Sequence, residues 1–429
     1  MPNKFLWYRR RRYLHFDTVI SLTEAKKLVA DPNRVKSHSF YPLIYNKIVT
    51  KKVKHDGDDR LTFHIKERRI HTASHRDSLI YSYYAKYLLN LYEARIAKNK
   101  LNNVVQAFRK INIDNVKSAK NVFDEIRNHS KCTVLRYDLT NFFGTIPHQE
   151  LKRAWCQLLN VNRLPDDHYR LFQNITRYSE ADRDQIYAKL NISRHNPNPD
   201  GRRRRLCDSK QFRRQIIGDG LVRVNRDNYG IPQGVSISTV LSNIFMLDID
   251  LVMQEEIEKI NGQYFRYCDD IIIIVPHAKD LEYIESTFVN LINSAKLSIN
   301  NSKTSRHEFW ADENKKIMSD KPLQYLGITF DGERFFIRPS SLARFQRKMR
   351  RGVRLAYLTK VKYNHIRRKR NIEPRQLYRN KIYEKYSHLG KKNFISYALR
   401  AAKILSAPEI KKQIKGEWHR LHRLLQKYQ

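Results

Sequence analysis

Long apolar runs, clustered cysteines and acidic residues are scarce in this chain, and each shortage excludes something. No stretch approaches the roughly eighteen consecutive apolar residues that a membrane-spanning helix requires, so no spanning segment is expected. After Met1 the chain soon meets Trp7, Tyr8 and the basic run Arg9 to Arg12, without the apolar core of a secretory leader. Cys132, Cys156, Cys207 and Cys268 are too scattered for a zinc knuckle and suit ordinary thiols of a reducing compartment. No internal repeat or long low-complexity tract is visible.

Acids number 43 against 83 Lys and Arg, a formal net charge of +40. Such an excess makes a polyanion the expected partner, because each neutralised phosphate releases condensed counterions. The imbalance is steepest after Ser341, where 89 residues hold 26 Lys and Arg but only Glu373, Glu384, Glu409 and Glu417 as acids. With 41% hydrophobic and 11% aromatic residues in 429, the chain can still bury one large core or several smaller ones.

Periodicity supplies the elements. Ser21 and Glu24 form a capping-box pattern ahead of a helix, and Leu61–Lys66 alternates like a strand after a polar loop over Lys51–Arg60 that contains Asp56-Gly57-Asp58. Helices are predicted over Ser78–Glu93, Val116–Arg127, within Gln149–Thr176, and over Ala181–Leu190, Ser236–Gln254 and Ala278–Ser294. Asn191–Arg205 is a breaker-rich loop with Pro197 and Pro199. Leu323–Phe330 reads as one strand turned by Asp331-Gly332, and a domain boundary is expected near Pro339.

The chemistry-bearing signal is Tyr267-Cys268-Asp269-Asp270, set between Gln263–Arg266 and the apolar run Ile271–Val275. Two strand-forming segments around adjacent acids predict a tight hairpin. A third acid, Asp138, closes the strand pattern Cys132–Tyr137. Carboxylates converging from rigid strands are what paired divalent ions need, and the reaction this suggests is nucleotidyl transfer. An ordinary acidic β-turn is the plainer reading of Asp269-Asp270.

In their order along the chain these segments resemble the reverse transcriptases of bacterial retrons and group II introns, over about Ile65 to Phe330. The resemblance implies an α+β right-hand polymerase fold: fingers, a palm of antiparallel sheet packed on helices, and a helical thumb. The expected partition is a basic extension over 1–60, fingers over 61–130, palm over 131–338 with a basic insertion near 191–226 and part of the fingers, and a helical basic thumb or RNA-binding region over 339–429. Asp138, in Asp138-Leu139-Thr140-Asn141-Phe142-Phe143, and the hairpin acids Asp269 and Asp270 match the family's ligands for two magnesium ions, manganese being the alternative. Phe143 matches the aromatic steric gate against ribonucleotides; if the segment is extended, only one of Phe142 and Phe143 faces the sugar.

Gly230-Ile231-Pro232-Gln233-Gly234 matches the loop that positions template and incoming base, with Thr239 where relatives often carry proline after Ser238. Lys66, Arg68 and Arg69 resemble the triphosphate-holding fingers segment, although Ala73 or Ser74 stands where a proline is expected. Lys303 matches the lysine near pyrophosphate, a general-acid candidate. Tyr267 and the primer-grip match Tyr325-Leu326-Gly327 would steer the primer end. Arg344, Arg347, Lys348 and Arg351 would follow the phosphates of an RNA–DNA duplex, and Arg202, Arg203, Arg204 and Arg205 would bind structured RNA. Arg367 to Arg370 would do the same outside the active cleft, and solvated charge is the plain alternative for both of these runs and for Lys66, Arg68 and Arg69.

No nuclease, integrase or RNase H pattern, and neither the Asn-Ala-x-x-His nor the Val-Thr-Gly signature of retron enzymes, is found. What remains resembles the antiphage defence group: a cytoplasmic bacterial enzyme copying a partner non-coding RNA with dNTPs. No membrane partner is expected, and an accessory protein or homo-oligomer is left open. A mobile-element polymerase and a non-catalytic RNA-binding scaffold are the alternatives.

Overall fold

The alternation over Leu61–Lys66 belongs to a longer strand, and its partner is a strand disguised by lysines. In the computed structural model, residues 7–55, 61–111 and 113–428 are described. Its strands begin with β1 Leu43–His55, β2 Leu61–Thr72, β3 Lys131–Asp138, β4 Ser179–Asp182, β5 Val222–Val224 and β6 Gln263–Tyr267. They continue with β7 Asp270–Val275, β8 Ser305–Ala311, β9 Ile317–Ser319, β10 Leu323–Tyr325, β11 Ile328–Phe330 and β12 Phe335–Ile337. The architecture is mixed α/β, in two units.

The first unit comprises residues 1–110, 138–255 and 286–302. Its sheet runs β2-β1-β4-β5, antiparallel except for the parallel pair β1 and β4. The expected loop over Lys51–Arg60 is corrected: β1 continues through His55, because β2 supplies its ladder hydrogen bonds whatever its side chains. Asp56-Gly57-Asp58 lies outside the described residues. Helix His75–Lys98 starts at Ser74, whose Oγ accepts from the Asp77 amide at 3.2 Å, and it buries Ile80, Tyr81, Leu88 and Tyr92.

The expected helix Ser236–Gln254 is two, Ser236–Phe245 and Leu247–Lys259, bent by 43°. Thr239 and Ser242 hydroxyls bond back to the Ser236 and Thr239 carbonyls at 3.0 and 2.9 Å, a competition that bends helices. Ala181-Asp182 belongs to β4, and the following helix, Arg183–Lys189, begins at the Asp182 cap. The stretch from 191 to 208 carries no helix or strand; its end is anchored where Leu206 and Cys207 join Phe16, Ile44, Ile186 and Ile216 in a small core.

The second unit comprises residues 111–137, 256–285 and 303–429. Its five-stranded sheet has the order β6-β7-β3-β8-β9, Asp138 at the end of β3 being counted with the first unit. Helix Asn115–Asn128 lays Val116, Ala119, Phe123 and Ile126 on a core shared with Val134, Phe265, Ile272 and Ile274. The single strand expected over Leu323–Phe330 is instead β10 and β11, because Leu326 (φ 47°) and Gly327 (φ 91°) form a two-residue turn with both centres left-handed. After β12, Pro339 opens a 31-residue helix to Lys369 that buries Phe345, Met349 and Val353. Four shorter helices follow, Asn380–Tyr386, Phe394–Ile404, Pro408–Lys415 and Glu417–Lys427. Among the described residues no single helix is long and apolar enough to cross a membrane.

His15, fully buried in the first unit, accepts from the Phe16 amide on Nδ1 at 2.9 Å, which leaves Nε2 to donate to the Thr72 carbonyl at 3.2 Å. Burial, opposed by the charge of Asp17, pushes its pKa down to about 4. An unfolded histidine titrates near 6.5, so between about pH 6.5 and 4 the unfolded chain binds a proton that the folded one does not. Stability therefore falls as pH drops through that window. Urea unfolding followed by circular dichroism should show this, with a flatter pH dependence in a weaker His15→Gln variant.

Candidate active site

Two glycines govern the loop Gly230–Gly234 in the first unit. Gly230 (φ 91°) donates its amide to the Ile146 carbonyl at 2.8 Å, and the next amide, of Ile231, donates to the Phe143 carbonyl at 2.8 Å. Gly234 (φ 110°) lies so close to β2 that an added Cβ would sit 2.6 Å from the His71 carbonyl oxygen. In return, the His71 amide donates to the Gln233 carbonyl at 2.8 Å. Ser238 holds the loop from the helix side, its hydroxyl donating to the Pro232 carbonyl at 2.7 Å, and Asn243 donates to the Ala107 carbonyl at 2.9 Å. The loop is thus stitched to β2 and to the segment after Asp138.

That segment is not extended. Asn141 takes a left-handed backbone (φ 47°) and Phe142–Thr145 makes a helical turn. Phe142 is buried and packs toward Phe245, whereas Phe143 is half-buried. The choice between the two rings is therefore made by helical geometry, not by strand alternation. Asp138 is 7% exposed; its carbonyl accepts from the Asn300 amide at 2.8 Å and its Oδ1 from Asn300 Nδ2 at 3.3 Å. Ser302 donates in turn to Asn300 Oδ1 at 2.9 Å.

The basic residues of β2 divide by face. Arg69 Nη1 bonds Glu180 Oε1 at 2.5 Å, its guanidinium lies 5.0 Å from the Tyr45 ring centroid, and His71 Nε2 meets Glu180 Oε2 at 2.7 Å. Burial works to raise the Glu180 pKa, but the His71 hydrogen bond and the charges of His71 and Arg69 outweigh it and hold the carboxyl below its ordinary value. Lys66 and Arg68 share the opposite face with Ile70, whose Cγ2 would be 3.0 Å from a Gly234 Cβ. Both are exposed.

In the second unit the predicted hairpin is present: β6 and β7 pair antiparallel with Tyr267 opposite Asp270, leaving Cys268 and Asp269 as the turn. Only Cys268 of these two has a positive φ (62°), where such turns prefer glycine. A left-handed non-glycine residue costs on the order of 1–2 kcal/mol. Fully buried Arg266 opposes this strain by donating from Nη1 to the Cys268 carbonyl at 3.3 Å. The Cys268 thiol is buried and its pKa raised by that burial, so it stays protonated, and the tip offers carboxylate oxygen as its anionic donors. Arg136, two residues before the end of β3, brings Nη2 to 3.8 Å from Asp270 Oδ1.

The hairpin Tyr325-Leu326-Gly327 is held from two sides. Asn115 Nδ2 donates to the Leu326 carbonyl at 3.2 Å and the Arg338 amide to the Gly327 carbonyl at 3.0 Å. Tyr325 is buried, and burial followed by the negative charge of Asp270 raises its pKa. Tyr267 is half-buried against the same core. Lys303 is half-buried in the turn before β8. Arg344, Arg347 and Arg351 share the 31-residue helix with Lys348, while Arg202–Arg205 are exposed in the insertion.

Residues 206–330 match the reverse transcriptase (RNA-dependent DNA polymerase) family. A reverse-transcriptase-like domain is therefore part of this chain, and the matched span contains both the Gly230–Gly234 loop and the Asp269-Asp270 hairpin. No curated protein matches it. Among solved structures, apo telomerase from Candida tropicalis truncated from its C-terminal domain is similar at 9% identity and a TM-score of 0.42, over 66% of this chain and 53% of that one. Telomerase from Candida albicans in complex with a TWJ fragment of telomeric RNA is similar at 10% and 0.41, over 94% and 60%. The RNA-dependent RNA polymerase of a human picobirnavirus is similar at 12% and 0.34, over 68% and 43%. The chain spans about half the length of the first telomerase chains it resembles.

Among the described residues no three His, Cys, Asp or Glu side chains are grouped to hold a metal ion; Asp138 belongs to the first unit, Asp269 and Asp270 to the second. Sequence reading missed Asn300, Glu180, His71, Arg136 and Arg266. The two arginines carried a signal, each being a cation inside an otherwise apolar strand pattern. Glu180 carried none, since its partners are more than a hundred residues away in sequence.

Gly234→Ala should combine backbone strain with a backbone collision, lowering stability by about 1–3 kcal/mol in thermal melts. Gly201→Ala, also left-handed (φ 71°) but with open space around it, should cost less.

Proposed function

We propose that the chain is an RNA-directed DNA polymerase that extends a 3′-hydroxyl with deoxynucleotides. The observation that carries this reading is the family match over residues 206–330, which includes the segments read from sequence as the template loop and acidic hairpin. In this reading 61–130 act as fingers, 131–338 as palm and 339–429 as thumb, with 1–60 as a basic extension. The donor set fits hard divalent cations: carboxylates at strand ends, with the neighbouring thiol kept protonated. Asp138, Asp269 and Asp270 would hold two magnesium or manganese ions, whose chemistry is to acidify the primer hydroxyl and neutralise charge on the transferring phosphate.

The chain's own residues do the rest. Lys66 and Arg68 hold the triphosphate, with Arg69 bracing β2 through Glu180. Phe143 excludes the 2′-hydroxyl, and Gln233 and Gly234 seat the template and incoming base. Lys303 gives a proton to the departing pyrophosphate. Tyr267 and the Tyr325-Leu326-Gly327 turn steer the primer end. Arg344, Arg347, Lys348 and Arg351 hold the phosphates of the RNA–DNA duplex without reading sequence. We extend the proposal to antiphage defence with a partner non-coding RNA as template, bound through Arg202–Arg205. The exposed, basic and locally anchored insertion supports that partner.

Primer extension on an RNA template by the purified chain tests the activity. Asp269→Ala with Asp270→Ala should abolish synthesis and leave RNA retention largely intact; undiminished synthesis would remove these acids from the reaction. Phe143→Ala should raise ribonucleotide incorporation, and an unchanged sugar preference would refute the gate. Sequencing of RNA and DNA that co-purify from the native host identifies the template, and DNA unrelated to the RNA would mean untemplated addition. Loss of phage resistance in the acid-to-alanine variant tests the defence role.

A further inference from the structure

The distal half of the long helix carries a groove that the polymerase reading does not use. Beyond Val353 the helix stops burying large side chains: Leu355, Leu358, Val361 and Tyr363 are 66%, 50%, 48% and 59% exposed. After Lys369 the chain turns back. The Ile372 amide donates to the Arg367 carbonyl at 2.9 Å, and Arg367 Nε donates to the Glu373 carbonyl at 2.6 Å. Asn364 then clamps the returning strap with two bonds of 2.9 Å, Nδ2 to the Arg375 carbonyl and the Arg375 amide to Oδ1. Between helix, strap and the helix Asn380–Tyr386 lies a groove of about 600 Å³. Ala356, Leu377 and Ile382 line its apolar part, and at its other end Gly352 admits the Tyr386 ring, whose hydroxyl would collide with any Cβ there.

Charge identifies the occupant. Lys360, Arg367, Arg375, Lys381 and Lys385 line the groove and no acid does. From Arg354 to Lys385 the chain has eleven Lys and Arg against Glu373 and Glu384. A second copy of this chain would bring the same positive surface and be repelled. Two exposed tyrosines, Tyr363 and Tyr378 (62%), contribute to opposite walls, one from the helix and one from the strap. Aromatic faces interleaved with cations are what unpaired bases on a phosphate backbone require, whereas a duplex hides its base faces.

We infer that this groove holds single-stranded RNA, with bases stacked on Tyr363 and Tyr378 and phosphates paired with the surrounding Lys and Arg. The choice of RNA over DNA rests on the copying activity proposed above. The site lies outside the segments assigned to catalysis, and it gives the chain a hold on unpaired RNA in addition to its hold on duplex.

Fluorescence anisotropy of the full chain with a labelled oligouridylate, at matched salt, tests it. Tyr363→Ala with Tyr378→Ala should weaken binding by about thirtyfold or more. Both changes to Phe should preserve it, and thiouridine-substituted RNA should crosslink at the two tyrosines. Unchanged affinity in the alanine pair, crosslinks confined to other surfaces, or equal or tighter binding of double-stranded RNA or of single-stranded DNA would each overturn the assignment. A dimer in sedimentation that the alanine pair dissociates would overturn it in favour of self-association. Binding needs no synthesis, so a chain that fails in primer extension but passes here refutes the polymerase reading alone. Normal extension with unchanged binding refutes the groove alone.

Discussion

One backbone hydrogen bond, from the His71 amide to the Gln233 carbonyl, organises the chemistry-bearing part of the first unit. It joins the end of β2 to a loop more than a hundred residues later, and Gly234 allows the approach by having no side chain. The same loop reaches the segment after Asp138 through Ile231 and Phe143, so three distant stretches are fixed by main-chain contacts. Side chains on this frame can change without moving it. The order of dependence runs from backbone fit to loop position, and only then to the residues proposed to hold a nucleotide.

The second unit is organised by a buried cation. Arg266 has no exposed surface, and the cost of burying it is offset partly at the Cys268 carbonyl. A turn that would ordinarily use glycine is thereby kept in shape with cysteine, and the two acids project from a braced tip. Strain held at such a place by surrounding contacts is a common mark of a working site. Arg136 beside Asp270 adds a second cation at the same tip.

How much could be seen in the sequence follows from which forces are local. The acidic hairpin was legible because its two strands and its turn lie within thirteen consecutive residues. The helices His75–Lys98 and Asn115–Asn128 were legible from periodicity, their ends less so because Ser74 and Asp114 caps lie outside the apolar pattern. β1 was hidden because its lysines resemble a loop and its ladder is completed by a separate strand. The split of Leu323–Phe330 was hidden for another reason: Leu326 stands in a left-handed turn position that leucine seldom takes. The pairing of Arg69 and His71 with Glu180 is long-range, and no pattern along the chain encodes it.

The scarcity of acids on the C-terminal helices reaches beyond recognition to the folded state itself. A segment holding 26 cations and four anions in 89 residues repels itself, and unfolding relieves that repulsion by spreading the charge. A bound polyanion acts in the opposite sense, since a ligand that prefers the native form shifts the equilibrium toward it by mass action. If nucleic acid is the partner, as proposed above, it would be a component of this protein's stability, and the chain would be at its most robust when loaded.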